Sequence, residues 1–169
     1  DATVDPCDNN HGTHVAGTVA ARGGNGLGVV GVSPFGQIMA LRCGPCSSTS
    51  ILWTVEAMDY AINNGAPISN NSWGGFGYNQ SMYDCILAGQ AANHLVVASA
   101  GNDANNNDVT PHYPDGYALS NIISVAAIQA GGALAGFSNY GATTVDIGAP
   151  GVDILSTIEG NGAYPVSYT

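Results

Sequence analysis

Residues 9–18 read Asn-Asn-His-Gly-Thr-His-Val-Ala-Gly-Thr, and this stretch decides how the rest of the chain is read. Asn10 is a suitable helix N-cap, and the small and β-branched residues after it suit a helix packed closely inside an α/β core. The pattern predicts a helix over 11–22, ended by Gly23-Gly24-Asn25-Gly26. His11 falls in its first turn, where an imidazole projects past the helix end toward the end of a sheet. An unperturbed histidine titrates at about 6.5, so it can take and return a proton at neutral pH. His14 lies three residues on, on the same face. A zinc site there would need further ligands in tetrahedral geometry and no zincin-type Glu follows, so a structural hydrogen bond is expected of His14.

Working outward, Val29–Val32 and Gln37–Arg42 read as strands, the second a buried run of Ile38, Met39, Ala40 and Leu41. Ser50 caps a predicted helix over 51–64, where Ile51, Val55, Met58 and Ile62 recur at helical spacing, with Gly65 and Pro67 closing it. A strand over 68–73 and a helix over 79–93 follow, then buried strands over 95–100 and 122–127. Residues 103–121 form a long loop rich in Asn, Asp and Pro, and loops of that length are usually functional or disordered. The last forty residues alternate short strands with Gly- and Pro-marked turns. Strands alternating with helices, with apolar runs between them, describe an α/β fold, a parallel β-sheet sandwiched by helices. Neither a repeat nor a domain linker interrupts the 169 residues, which are enough for one sizeable core.

Composition excludes several functions. Charged residues are only 8%, and two Arg, no Lys and twelve acids give a net charge of −10. That balance disfavours nucleic acid and anionic membranes as partners. No run of eighteen apolar residues offers a membrane span. An acidic, ion-poor surface fits a secreted protein.

Four ordered motifs carry a family resemblance. His11-Gly-Thr-His-Val-Ala-Gly-Thr18 resembles the histidine signature of the subtilisin-like serine proteases, the subtilases. Asn71-Ser72-Trp73-Gly74-Gly75 resembles their substrate-binding strand, and Val96-Val97-Ala98-Ser99-Ala100-Gly101-Asn102-Asp103 the strand ending in the oxyanion-hole asparagine. Phe137-Ser-Asn-Tyr-Gly141 followed by Asp146-Ile-Gly-Ala-Pro-Gly151 resembles the segment leading toward the nucleophile. The resemblance covers about residues 8–169. It implies a secreted serine endopeptidase, monomeric at full length, that hydrolyses protein or peptide substrates through an acyl-enzyme. His11 is then the general acid and base, since a serine hydroxyl needs a base to take its proton as it attacks. Asn102 is the oxyanion donor. Ser72, Trp73 and Gly74 pair with substrate backbone, Ser99, Ala100 and Gly101 wall the primary specificity pocket, and glycine lets a peptide approach closely. His112, within Pro111-His-Tyr-Pro114, aligns with the floor of that pocket. There an imidazole fills volume and adds a polar tip, which implies a preference for smaller or acidic residues over Phe or Leu. The resemblance also implies structural calcium at two places, the Gly23–Gly28 run, where Asn25 is the one polar side chain, and Asp146; no catalytic cofactor is implied.

The family order is Asp, His, Ser, and two members lie outside this reading. Asp1, Asp5 and Asp8 lack the Asp-Ser/Thr-Gly context, and no Gly-Thr-Ser-Met-Ala string occurs. The chain thus reads as a single partial catalytic domain, 1–169, lacking the Asp and Ser segments, with an incomplete fold and no peptidase activity of its own. Two rival functions stand beside this one. Cys43-Gly-Pro-Cys46 is by itself a thiol–disulfide exchange motif between a strand and a helix. Arg42 stands where such proteins carry Trp, and a structural disulfide, local or to Cys7 or Cys85, is the better expectation. The other rival is a catalytically dead binding protein of the same fold.

Overall fold

Four short runs of small and branched residues align side by side, all in one direction, in the computed structural model of the chain. The structure describes residues 10–44 and 50–158, and the backbone of 163–166. Helix α1 spans His11–Ala20, α2 Ile51–Asn63 and α3 Gln80–Ala91. The strands are β1 (Ile68–Asn71), β2 (Leu95–Ser99), β3 (Ile122–Ile128) and β4 (Ile147–Pro150), which form a sheet in that order. A hairpin of β5 (Ile154–Thr157) and β6 (Ala163–Val166) follows. All pairings in the larger sheet are parallel. The α/β class and the parallel sheet are therefore as the sequence implies. No described helix is long and apolar enough to cross a membrane.

The two middle helices form where local chemistry favours them. Ser50 Oγ accepts a hydrogen bond from Leu52 N, and Asn79 Oδ1 accepts one from Met82 N at 3.0 Å, so each N-terminus has a side-chain cap. Gly65 takes φ +74° just beyond α2, the left-handed turn that ends a helix cheaply only with glycine. Met58 from α2, Met82 and Ile86 from α3, and Val96 and Ala98 from β2 close into one core with Tyr117. Full burial of each large side chain contributes roughly 1.5–3 kcal/mol. This cluster fixes α2 and α3 against one face of the sheet.

Helix α1 is shorter than the periodicity implies, and the cause is visible in its last turn. The carbonyls of Thr18, Val19 and Ala21 accept hydrogen bonds from the backbone N–H groups of Val32, Ser33 and Gly31. Residues 29–33 are therefore no strand: they return to satisfy helix carbonyls that would otherwise need water. Gly31 is required for this approach, since a Cβ there would come within 2.4 Å of Ala21 N. Residues 37–42 run without regular structure, and Ile38 and Met39 are 46% and 43% exposed. A strand exists through its ladder partner. None of the described sheet strands pairs with this run, so the expected buried strand is corrected. Asn10 also differs from expectation: its carbonyl accepts from His14 N at 2.8 Å, but its side chain makes no cap bond, its ψ of 6° being far from extended.

Helix α1 is anchored to β5 instead. His14, 3% exposed, donates from Nε2 to Ile154 O at 3.0 Å. Ser156 Oγ donates to His14 O at 2.6 Å and Thr157 Oγ1 to Thr13 O at 2.8 Å. Gly17 makes room for this contact, because a Cβ there would lie 2.1 Å from Thr157 Oγ1. Replacing glycine by alanine inside a helix ordinarily stabilises by about 1 kcal/mol. Gly17→Ala should do the opposite here, lowering stability by about 1–3 kcal/mol through overpacking. Denaturant melts of the two forms check the sign.

Candidate active site

Strands β1 and β2 are neighbours, with Asn71 opposite Ala98. The residues at their ends, Ser72–Gly74 after β1 and Ser99–Asn102 from the last residue of β2 onward, therefore leave the sheet side by side at its carboxyl edge, where open α/β sheets build their crevices. A cleft of about 350 Å³ opens there, lined by His11, Ser72, Trp73, Gly74, Ser99, Gly101, Asn102, Asp103 and His112. Eight of these nine residues were singled out from the sequence; Asp103 was not. Ala100, also singled out, is fully buried behind the wall, and its carbonyl accepts from Asn107 Nδ2 at 2.8 Å. Trp73 both lines the cleft and packs against the core cluster.

His11 reaches the cleft from the first turn of α1. Its Nε2 lies 3.0 Å from Ser72 O. A carbonyl only accepts, so Nε2 carries the proton in this arrangement. The contact spans 61 residues of sequence and joins the helix to the end of β1.

The floor is a buried polar network of which the sequence reading contained only His112. His112 is 4% exposed. Its Nδ1 donates to Asp115 Oδ1 at 2.5 Å. Asp115 Oδ2 accepts from Asn107 Nδ2 at 3.0 Å and from Ser124 Oγ at 3.2 Å. Gly75 and Tyr113 exchange backbone hydrogen bonds of 2.9 and 2.8 Å, which sets His112 beneath Gly74. A Cβ on Gly74 would lie 2.3 Å from His112 Cε1. Gly101 is constrained twice: its φ is +107°, and a Cβ would lie 2.4 Å from Asn139 Nδ2. Asn139 in turn holds the next turn, its Oδ1 accepting from Asp103 N at 2.7 Å and Asn105 N at 3.0 Å. The long 103–121 loop is thus ordered by side chains. Asp108 adds to this: hydrogen bonds led by the Thr143 hydroxyl hold its carboxyl down to about 2. The sequence pointed to His112 through the family likeness of Pro111–Pro114; its partner Asp115 carried no signal of its own.

The two proposed cation residues sit apart from the cleft lining. Asn25 Oδ1 accepts from Leu27 N at 3.0 Å in an exposed turn. Asp146 Oδ2 accepts from Ser124 N at 2.8 Å while Asp146 N donates to Ser124 O, aligning β4 with β3. Among the described residues no group of three or more His, Cys, Asp or Glu could hold a metal.

Cys43 and Cys85 are free thiols, so no disulfide joins them; Cys7 and Cys46 lie outside the described residues. Burial raises the Cys43 thiol, and burial together with Asp59 pushes Cys85 up to about 11. Thiol exchange needs the opposite shift, which counts against the redox reading.

These features define a class: an α/β protein whose parallel sheet carries a histidine-bearing cleft at its carboxyl edge. The sequence matches the Subtilase family over residues 2–168, and the chain belongs to that family. It is 40% identical over 163 residues to a thermophilic serine proteinase of Bacillus sp. (strain AK1), covering 95% of this chain and 39% of that protein. Fervidolysin of Fervidobacterium pennivorans is 38% identical over 161 residues, covering 89% of this chain and 22% of that one. The chain thus spans well under half the length of these relatives. Among solved structures, the prenylagaramide maturation protease PagA superimposes with a TM-score of 0.79 at 30% identity, covering 94% of this chain and 57% of that one.

Two outcomes follow from the site geometry. Gly101→Ala should cost about 1–3 kcal/mol for the positive φ alone, with the Asn139 clash in addition, read as a lowered denaturation midpoint. A Cys85 thiol at about 11 is almost wholly protonated at pH 8. Iodoacetamide should therefore modify it roughly 100-fold more slowly than an ordinary thiol, and faster as pH rises toward 11. Peptide mass mapping over time checks this.

Proposed function

We propose that the protein carrying this domain is a secreted serine endopeptidase that cleaves protein or peptide chains through an acyl-enzyme. The observation that carries the reading is one cleft holding His11, Asn102 and two strand-end walls together. A peptide lying along Ser72–Gly74 would add a strand to that edge through main-chain hydrogen bonds. His11 would take the nucleophile's proton and return it to the leaving amine. The Asn102 amide would stabilise the oxyanion. The nucleophile and the orienting carboxylate belong to the family's Ser and Asp motifs, and the 169 residues contain no Gly-Thr-Ser string.

Two parts of the reading concern the surroundings of the site. Secretion and a monomeric state are consistent with the acidic, Lys-free composition. Structural calcium at the Asn25 turn or at Asp146 would need backbone carbonyls beyond these side chains. Its signature is a melting temperature that falls on adding EGTA.

The natural-length protein should hydrolyse a chromogenic peptide and react with a fluorophosphonate. His11→Ala should lower turnover on the order of 10⁴-fold or more while leaving the fold intact. The 169-residue chain alone should show neither reaction. A natural-length protein inert to both reagents would instead favour a dead homologue that binds peptides without cutting them.

A further inference from the structure

Under the cleft lies a charge that the proposed chemistry does not use. Asp115 is buried, its side chain fully enclosed, and its three hydrogen-bond donors are His112, Asn107 and Ser124. Only His112 among these can become a cation. The chain has two Arg and no Lys, and Arg22 and Arg42 are both on the surface. A buried carboxylate without a counter-ion is costly, so a protonated His112 ring is the group able to balance it. Because Nδ1–H is committed to Asp115, the second proton would reside on Nε2.

That nitrogen lies against the cleft wall. Points where Cβ atoms on Gly74 and Gly101 would stand are 2.9 and 3.1 Å from His112 Nε2, and both glycines line the cleft. No side-chain hydrogen bond to a described residue involves Nε2, whereas Nδ1 is taken. A second donor without a partner, Asn139 Nδ2, is buried beside the same point over Gly101, 2.4 Å from it. The Phe76 ring stands edge-on to the imidazole, with centroids 5.6 Å apart, and restricts its tilt. His112 is therefore a fixed ring with one engaged nitrogen and one facing the cavity.

We propose that His112, held by Asp115, is a specificity-determining residue that admits a carboxylate side chain, Glu or Asp, on the substrate residue preceding the scissile bond. The assignment rests on the endopeptidase reading for the position of that residue, and on the floor geometry for its chemistry. The protonated ring donates Nε2–H to the substrate carboxylate, and Asp115 keeps the ring oriented. Among the described residues, the titratable groups lining the cavity are His112 at the floor and His11 and Asp103 at the wall, with Asp115 enclosed behind His112. Asp103 is exposed, so solvent screens its repulsion of an anion.

Equilibrium binding of acetyl-Ala-Ala-Pro-X-amide peptides to the 169-residue chain, with X as Glu, Gln, Phe or Lys, tests this without requiring turnover. The Glu peptide should bind about 10-fold more tightly than its Gln isostere at pH 6. His112→Asn, which keeps a polar side chain of similar reach, should bring the ratio to one while the circular dichroism is unchanged. A Glu peptide no tighter than Gln, a ratio that survives His112→Asn, tightest binding of Phe or Lys, or no binding of any peptide overturns the assignment. Hydrolysis of the same peptides by the natural-length protein is scored separately. Binding preference without turnover would remove the endopeptidase reading and leave His112 as the selector of acidic chains.

Discussion

The parallel register of β1 against β2 is the constraint on which the cleft depends. Asn71 lies opposite Ala98, so the chain leaves both strands at the same level and in the same direction. Had the pair slipped by one residue, every side chain would have exchanged faces. The core that enforces this register is small: Val96 and Ala98 point into the Met58, Met82 and Ile86 cluster. Packing under one face thus decides the position of Ser72–Gly74 and Ser99–Asn102, which take no part in that cluster apart from Trp73.

Two further devices bring side chains to this frame. Helix α1 is carried to the cleft by hydrogen bonds to β5 and by the absence of a side chain at Gly17. The floor is carried by the 103–121 loop, which has no helix or strand and is held by Asn107, Asp108, Asp115 and Asn139. Polar networks of this kind stabilise only when nearly complete. The glycines at 74 and 101 then leave room for the His112 ring between the two walls. The proposed base, the strand edges and the floor come from four separate stretches of chain, each fixed by a different kind of contact.

How much of this was legible depended on the range of the interaction. Helices α2 and α3 and strands β1, β2 and β3 follow from local periodicity and caps, because Ser50, Asn79 and Gly65 act within a few residues. Residues 29–33 and 37–42 misled for the opposite reason. Val29–Val32 has strand composition, yet its N–H groups serve the end of α1, a tertiary demand invisible to a window of sequence. The motif residues gathered in the cleft as a set because they share a family pattern. Asp115 and Asn107 did not stand out, since a single acid or amide in a polar loop resembles a surface residue until its burial is known. Asn10 shows the limit of propensity: the residue type suits a cap, but the backbone angle does not deliver the side chain.

Seating of an extended peptide along the two strand ends is the central expectation, and backbone amide exchange reads it directly. Hydrogen exchange of the chain would be followed residue by residue, with and without a saturating substrate-like peptide. Slowed exchange is expected at the amides of Ser72, Gly74, Ser99 and Gly101, with α2 and α3 unaffected. Protection confined to the exposed apolar stretch at Val30, Val32 and Phe35, or no protection at either strand end, would contradict it.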